Sequence, residues 1–513
     1  MRVRERRRAR PAPSALAPAL ALGAVCAVAV VLRVAPWFTA HTFGGVLEYD
    51  DGVYYAASRA LAHGLVPYRD FVVIHPPLSS VLFLPFAALG AWLGDPVGIA
   101  AARVAVVVVS LVNIALVVRI VGALVRDKPA ARVACVVGAA GYATFPGAVA
   151  AEHTLLLEPV VNLFALLGAL SLFGSEPPLT RRRAIVAGVL FAAAISVKVF
   201  AAVYLVVAVV ALLAAGNRRA VLGVVAGTCA GLALFDGPFF LAGPRAFWTD
   251  VVVTQLRRPP DGAHSGFHRL ADILGTGDVH LAVAVVGGLV LAASVLAFAV
   301  TTGKFAAVFW LGSFAGFVGA FALAPSYFTH YAGVLAPCVA VILGVAVVTV
   351  RGFGRARVAR LALAPAVLPA LFAYSSSVPL TQWSGQADWA EVHRLIPPES
   401  CVYTDAVSLS IAADDFRPPT ADCPIWVDGR GVNLTLASAV TTPGQFYPQG
   451  FLADRRWQQA NLRQLEAAEV VLIRGTTAAV GEWSSDARDY VQANFREVWE
   501  SGGRVPASLW IRR

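Results

Sequence analysis

Long apolar runs dominate the first three quarters of the chain. Stretches of about 20 residues with few charges recur as far as residue 374, and this is the length that a helix needs to cross the hydrocarbon core of a bilayer. We therefore predict a polytopic α-helical membrane protein with about eleven spans. The predicted spans are roughly 14–36, 97–124, 131–149, 155–174, 184–197, 199–215, 220–242, 280–301, 305–324, 330–350 and 361–374.

The pattern changes after residue 374, where short apolar strands alternate with amphipathic stretches. The segment "DWAEVHRLIPPESCVYTDAVSLSIAADDFRPP" predicts helix, turn, strand and helix, and "AEVVLIRG", "SSDARDYVQANF", "REVWESGG" and "ASLWIRR" predict strand, helix, strand and strand. We therefore divide the chain into a transmembrane domain, 1–374, and a small C-terminal α/β domain, 375–513. Cys401 and Cys423 are the only cysteines of the second domain, and in an oxidising compartment they are expected to form a disulfide.

Charge decides the predicted topology. The C-terminal domain has 12 basic and 16 acidic residues, so the excess of basic residues in the whole chain, 41 against 31, lies in the membrane part. If the short apolar segment 79–93 lies along the interface and the N-terminus is cytoplasmic, the basic loops at 126–132, 180–183, 217–219 and 351–360 are also cytoplasmic. The C-terminal domain is then external.

This topology gathers the polar residues that can do chemistry on one external face. They lie in the first external loop (37–96, with "VLEYDDGVYYAASRALAHGLVPYRDFVVIHPPL"), at Arg103, in "AEHTLLLE" (151–158), at Lys198, in 254–269 and in "PSYFTHY" (325–331). Asp50 and Asp51 are candidates for a general base or for oxygen ligands of a divalent cation, Mg or Mn. Capping of the following helix is the structural alternative for Asp51.

Six cations on this face suit the phosphate of a lipid-linked substrate: Arg59, Arg69, Arg103, Lys198, Arg257 and Arg258. Lys198 lies between two short apolar helices in a chain with only three lysines, although snorkelling to lipid headgroups is an alternative role. The remaining candidates for substrate binding are Glu48, Tyr54, His75, Glu158 and His330, with Glu152 and Tyr331 as weaker ones. The sequence has no P-loop, no GxGxxG that enters a helix from a strand, no HExxH, no GxSxG and no CxxC pair, which argues against an ATP-driven pump and against a zinc or haem protein.

The acidic pair in "DDGVYY", the tract that follows it, the "RVAVVV" span beginning at Arg103 and the "SVKVF" turn resemble the GT-C superfamily of polyprenyl-phosphate-sugar-dependent glycosyltransferases. That superfamily includes protein O-mannosyltransferases, aminoarabinose transferases and actinobacterial arabinosyl- and mannosyltransferases. The resemblance implies that Asp50 or Asp51 is the catalytic base and that Lys198 and Arg103 bind the donor phosphate. The second-loop acid of the superfamily is usually Asp, and this chain has Glu158 or Glu152 there.

These observations predict an inverting glycosyltransferase of the cell membrane. It takes a sugar from a polyprenyl-phosphate donor to an envelope glycan, lipid or protein acceptor at the outer face, with Arg257 as a further phosphate ligand. A transporter or flippase of a lipid-linked substrate is the main alternative, and it requires polar residues at mid-membrane depth and repeated halves. A non-catalytic envelope scaffold is the third, in which Asp50 and Asp51 are dispensable.

Overall fold

The computed structural model describes residues 16–39, 43–128, 130–174, 179–259, 266–274, 281–349, 387–437, 454–477, 480, 483–502 and 506–513. Helices make up the part before residue 350, and a mixed α/β unit begins after residue 386. The predicted domain boundary at 374/375 and the predicted span 361–374 lie outside the described residues.

The helices of the membrane part are α1 (Leu16–Thr39), α2 (Tyr49–Ala62), α3 (Leu78–Leu82), α4 (Leu84–Leu93), α5 (Asp95–Leu124), α6 (Ala131–Ala143), α7 (Pro146–Glu152), α8 (Glu158–Phe173), α9 (Arg181–Val197), α10 (Ala202–Ala214), α11 (Arg218–Phe235), α12 (Gly237–Ala242), α13 (Pro244–Trp248), α14 (Thr254–Leu256), α15 (Gly266–Ile273), α16 (Leu281–Thr301), α17 (Lys304–Leu323) and α18 (Ala336–Ala346). Irregular helical turns lie at Val199–Ala201, Thr249–Val253, Thr329–Leu335 and Val347–Thr349.

The predicted multi-pass helical architecture is confirmed, but the count of eleven spans is not. Among the described residues, five helices are long and apolar enough to cross a membrane, or up to six if α6 and α7, which meet at a bend of 57°, form one span. The predicted span 220–242 is broken between α11 and α12, and the segment predicted to lie along the interface, 79–93, is divided between α3 and α4. Pro85 follows the first residue of α4, and a proline lacks the N–H that would continue the preceding helix.

Small residues allow α9 and α11 to pack with their backbones in close contact. A Cβ atom added to Gly188 would lie 2.1 Å from the carbonyl oxygen of Val224, and one added to Gly227 would lie 2.1 Å from that of Ile185. The hydroxyl of Thr228 also donates to the carbonyl oxygen of Gly188, 3.2 Å away. Apolar side chains gain little from leaving lipid, so this close van der Waals packing and interhelical hydrogen bonding hold the two helices together.

A buried polar network joins α1, α5, α6 and α7 inside the bundle. Nη2 of Arg33 lies 2.5 Å from Oε2 of Glu152, and both side chains are fully buried. Ser110 donates to the same carboxylate at 2.6 Å, and the hydroxyl of Tyr142 donates to its Oε1 at 2.7 Å. A buried charge requires such partners, and Glu152, a weak candidate for the site, is therefore occupied in holding the bundle together.

The C-terminal unit contains a four-stranded mixed sheet. Its helices are α19 (Trp389–Leu395), α20 (Val407–Ala412), α21 (Gly429–Ala437), α22 (Arg455–Ala467) and α23 (Ser485–Asn494), and its strands are β1 (Val402–Thr404), β2 (Val470–Arg474), β3 (Phe495–Glu500) and β4 (Ala507–Arg512). The sheet order is β1-β2-β4-β3, with β1 parallel to β2 and the other pairs antiparallel. Cys401 and Cys423 form a disulfide beside β1.

The C-terminal unit packs directly on the first loop of the membrane part. The hydroxyl of Ser408 in α20 donates to the carbonyl oxygens of Glu48 and Tyr49, at 3.0 and 3.3 Å. Gly52 lies against the same serine, and an added Cβ would come within 2.6 Å of its Cα. The start of α2 is therefore fixed between the bundle and the C-terminal unit.

Candidate active site

An open cavity of about 810 Å³ lies at the start of α2. Its walls come from distant parts of the chain: the first loop, the segments after α14 and α17, and the start of α21 in the C-terminal unit. Among the predicted candidates, the cavity is lined by Glu48, Asp50, Tyr54, His75, Arg258, His330 and Tyr331. Glu48 and Tyr331, which are 283 positions apart in the sequence, thus meet at one cavity.

Asp50 faces this cavity. Its side chain retains 34% of its exposure, and its Oδ2 lies 3.7 Å from Nε2 of His330. The hydroxyl of Tyr54, one helical turn further along α2, lies 3.4 Å from the same oxygen. A carboxylate that is accessible from a cavity and keeps free lone pairs is suited to accept a proton from a bound hydroxyl group.

Asp51 points the other way and is fully buried. Its Oδ2 lies 2.8 Å from Nη2 of Arg103 and accepts a hydrogen bond from Thr154 at 2.6 Å. Arg103 also donates to Thr154 and to the carbonyl oxygens of Phe43 and Gly45. Burial raises the pKa of Asp51, and Arg103 opposes that shift. Neither residue lines a cavity, so the structure does not place Asp51 where a catalytic base could reach substrate, or Arg103 where it could bind the donor phosphate. Their ion pair instead connects the first loop to α5.

A second cavity, of about 740 Å³, adjoins the first. The two share five lining residues: Ile74, His75, Arg258, Ser326 and Tyr331. The second cavity adds the cation Lys198 and an apolar wall that includes Phe200 and Phe321. Two cations beside an apolar wall match a phosphate attached to a hydrocarbon chain.

Lys198 lies at the break between α9 and α10, where its backbone is extended (φ −154°, ψ 123°). Its Nζ is 2.5 Å from Oε1 of Glu158 and lies 4.2 Å from the centroid of the Tyr331 ring. The side chain is almost completely buried, which does not fit snorkelling to lipid headgroups. Oε2 of Glu158 is also buried and has no hydrogen-bond partner among the described residues.

The two arginines at 257 and 258 have different positions. Arg257 is exposed and lines neither cavity. Arg258 lines both cavities, and its Nη1 lies 3.4 Å from the hydroxyl of Tyr331. Arg257 is the phosphate ligand predicted from the sequence, whereas the structure places its neighbour Arg258 at both cavities.

His75, His330 and Glu48 are the remaining predicted substrate-binding residues that line the first cavity. Burial together with the cations Lys198 and Arg258 and with His330 holds the pKa of His75 well below its usual range. Nε2 of His330 lies 4.0 Å from Oε1 of Glu158, so this ring stands between Asp50 and the lysine-bound carboxylate. Burial and the neighbouring Asp51 and Asp50 raise the pKa of Glu48 well above its usual value.

The C-terminal unit contributes cavity residues that the sequence analysis did not name. Asp428, Arg430 and Leu434 line the first cavity, and the Arg430 guanidinium lies 4.4 Å from the centroid of the Tyr49 ring. Burial raises the pKa of Asp428 to about 7, against the opposing hydrogen bond from the N–H of Gly431. The turn "DGRG" at 428–431 was the available signal, since an acid and an arginine in a glycine-containing turn are common at binding sites.

A metal site is a separate matter. Within the described ranges, no group of three or more His, Cys, Asp or Glu side chains is arranged to hold a metal ion.

Arg59 and Arg69, two of the predicted cations, lie outside both cavities. Arg59 pairs with Asp95 at 2.7 Å, and the exposed Arg69 pairs with Asp70.

Comparison with known proteins gives one family match and several structural matches. The family model of Glycosyltransferase family 87 matches residues 73–323, just under half of the chain. The fold is similar to that of ArnT from Cupriavidus metallidurans bound to undecaprenyl phosphate, with a TM-score of 0.62, 16% identity and coverage of 97% of this chain and 98% of that one. It is also similar to the Archaeoglobus fulgidus oligosaccharyltransferase AglB in complex with an inhibitory peptide and a dolichol-phosphate, with a TM-score of 0.56, 12% identity and coverage of 89% and 69%. Among curated proteins, none matches the sequence significantly.

Proposed function

We propose that this multi-pass membrane protein, whose fold is similar to that of ArnT and AglB, is a glycosyltransferase that transfers a sugar from a polyprenyl monophosphate to a hydroxyl group of an envelope glycan, lipid or protein. The reaction takes place at the outer face of the membrane and inverts the anomeric configuration. The observation that carries this proposal is the arrangement of Asp50 and Lys198, which face two cavities joined through His75 and Arg258.

Asp50 is the general base in this proposal. It accepts the proton of the acceptor hydroxyl, whose oxygen attacks the anomeric carbon while the bond from that carbon to the phosphate oxygen breaks. Asp50 is the accessible member of the acidic pair, whereas the oxygens of Asp51 are enclosed with Arg103 and Thr154. With Asp50 as the base, the acceptor oxygen attacks the anomeric carbon directly, from the side opposite the leaving phosphate. A single displacement of this kind inverts the anomeric configuration.

Lys198 and Arg258 bind the donor phosphate. Negative charge grows on the leaving phosphate in the transition state, and fixed cations beside it stabilise that charge. The apolar wall with Phe200 and Phe321 supplies a path for the first isoprene units toward lipid. Solved structures of ArnT and AglB, which share this fold, contain undecaprenyl phosphate and dolichol-phosphate respectively, and both are polyprenol phosphates.

The acceptor enters from the side of the C-terminal unit. Asp428, Arg430 and Leu434 form the wall of the Asp50 cavity that does not come from the membrane part. The disulfide between Cys401 and Cys423 favours an oxidising compartment for this unit. This agrees with the topology that the basic loops indicate, with the C-terminal unit outside and the N-terminus in the cytoplasm.

Turnover by the purified full-length protein tests the proposal. Polyprenyl monophosphates carrying mannose, glucose or arabinose are the donors, an envelope fraction is the acceptor, and released polyprenyl monophosphate is measured with and without EDTA, which also tests the divalent cation. We expect Asp50→Asn to lose turnover by at least about 100-fold while it still binds the donor, and Asp70→Asn, an exposed acid of the same loop, to retain turnover.

Two outcomes contradict the proposal. Full turnover by Asp50→Asn would show that Asp50 is not the general base. The second outcome is that the wild type consumes no donor, while wild type and Asp50→Asn transport labelled lipid across proteoliposomes at equal rates. The protein would then be a transporter of a lipid-linked substrate and not a glycosyltransferase.

A further inference from the structure

A chain of three side chains connects the two cavities. The hydroxyl oxygen of Tyr54 lies 3.4 Å from Oδ2 of Asp50 and 3.3 Å from Nε2 of His75. Asp50 lines the first cavity only, whereas His75 lines both. The Tyr54 hydroxyl thus lies near both the carboxylate on the acceptor side and the imidazole that reaches the phosphate side.

We propose that Tyr54 and His75 form a proton relay that carries the acceptor's proton from Asp50 to the leaving phosphate. This inference rests on the proposed function, because it describes how the same site returns Asp50 to its charged form after each transfer. Without a relay, Asp50 loses the proton to the solvent of the open cavity before the next turnover, whereas the relay delivers it to the leaving phosphate.

The proton balance is complete. The acceptor O–H bond breaks and its proton moves to Asp50, while the new bond to the anomeric carbon forms and the electron pair of the old one remains on the phosphate oxygen. Asp50 then donates its proton to the Tyr54 oxygen as the Tyr54 O–H proton passes to Nε2 of His75. The imidazolium releases the proton of Nδ1 to a phosphate oxygen, whose monoester form titrates near pH 6. His75 is then protonated at Nε2, and it returns to the starting tautomer by proton exchange with the solvent of the open cavity before the next turnover.

The surroundings of His75 fit this role. The groups that face it are Tyr54, Lys198, Arg258 and His330, in addition to the buried wall of the cavity. The two cations and the burial keep the ring neutral at rest, so that it is able to take up a proton. A bound phosphate offsets the charges of Lys198 and Arg258, and protonation of His75 then becomes easier when product phosphate is present.

The other neighbour of Asp50 is less suited to the role. Nε2 of His330 is 3.7 Å from Asp50, beyond hydrogen-bond distance, and its next neighbour is Glu158, a carboxylate that already pairs with Lys198. A proton that follows this route ends on an acid of the protein. The Tyr54 route ends at the cavity where the leaving group is bound.

The relay predicts rescue by an external base. The variants are Tyr54→Phe, which keeps the buried ring, and His75→Gln, which keeps a polar side chain that cannot be protonated. We expect kcat for donor consumption to fall by about 100-fold, with the affinity for undecaprenyl monophosphate unchanged. Raising the imidazole concentration in the buffer should restore kcat of both variants and leave the wild type unaffected, since a small base replaces the relay.

The control is Tyr55→Phe, because the hydroxyl of Tyr55 donates to Asp95, away from both cavities. Its kcat should stay at the wild-type level with no dependence on imidazole. The relay is overturned if Tyr54→Phe keeps wild-type kcat, or if its lost activity does not respond to imidazole, and in both cases the proposed function stands as long as Asp50→Asn is inactive. If the wild type consumes no donor, the proposed function fails and the relay with it.

Discussion

Asp50 and Asp51 are consecutive residues of α2, yet their carboxylates lie in opposite environments. Asp50 is accessible from a cavity and lies 3.7 Å from Nε2 of His330, whereas Asp51 is fully buried and lies 2.8 Å from Arg103. Neighbouring positions on a helix are separated by about 100° around its axis. This rotation of about 100° places one carboxylate at a cavity and the other in the protein interior.

The buried pair of Asp51 and Arg103 predicts a defect of stability rather than chemistry. Asp51→Asn leaves the Arg103 guanidinium buried without a counter-charge, and removal of one partner from such a pair costs about 3–5 kcal/mol. We expect a clearly lower temperature of thermal unfolding in detergent, with the activity of the folded fraction retained. Asp50→Asn is the matched control, and its unfolding temperature should equal that of the wild type. Equal unfolding temperatures for both variants contradict the structural role of Asp51.

Donor affinity should separate Lys198 from Arg257. Lys198→Met removes a charged donor from the phosphate cavity, and hydrogen bonds to charged groups contribute about 1.5–3 kcal/mol, so we expect Kd for undecaprenyl monophosphate to rise by about 10- to 100-fold. Lys198→Arg keeps the charge opposite Glu158 and should recover part of the affinity. Arg257→Met is the control, because Arg257 is exposed and outside both cavities. An equal loss in the Lys198 and Arg257 methionine variants argues against the assignment of the phosphate site.

The sequence alone predicted the helical bundle and a C-terminal unit with helices and strands, and five of its candidate residues lie at one cavity. Apolar runs and alternating strands are local patterns, and the distribution of basic loops predicts that the polar loops lie on one side of the membrane. Glu48, Asp50, Tyr54, His75 and His330 all line the same cavity.

The choice within each pair of neighbours was not available from the sequence. Whether Asp50 or Asp51 faces a cavity depends on Arg103 and Thr154, which are 52 and 103 positions away. The same holds for Arg257 and Arg258, since contacts with the distant residues Tyr331 and Phe328 place Arg258 at the cavity. Long-range contacts of this kind leave no local pattern.

Gly52 should tolerate no side chain because the C-terminal unit packs against it. An alanine Cβ there would lie 2.6 Å from the Cα of Ser408, and overpacking of this kind costs about 1–3 kcal/mol. We expect Gly52→Ala to lower the unfolding temperature and to raise proteolysis of the C-terminal unit, although alanine favours a helix over glycine. Gly23→Ala in α1 is the control, since no atom lies within 4 Å of its added Cβ. A stabilised Gly52→Ala protein contradicts the contact between the two parts.

Asp428 predicts a dependence of stability on pH. An unfolded aspartate titrates near pH 4, whereas burial raises the pKa of Asp428 in the folded protein to about 7. The folded state therefore holds this proton more tightly, so the contribution of Asp428 to stability is fully present below about pH 4 and is lost as pH rises toward 7. The unfolding temperature of the wild type should fall between about pH 4 and about pH 7 and level off above that range.

Asp428→Asn isolates this contribution. Asparagine cannot ionise, so the variant should lose less stability than the wild type across the same pH range, and Glu48, whose pKa is also raised, accounts for part of the remaining slope. Thermal unfolding of both proteins at half-unit steps of pH measures the difference, with Asp486→Asn in the exposed first turn of α23 as the control. Identical slopes for wild type and Asp428→Asn mean that Asp428 is already ionised in the folded protein. In that case the acceptor wall of the cavity carries a permanent negative charge beside Asp50, and an acceptor with a cationic or neutral sugar is favoured over an anionic one.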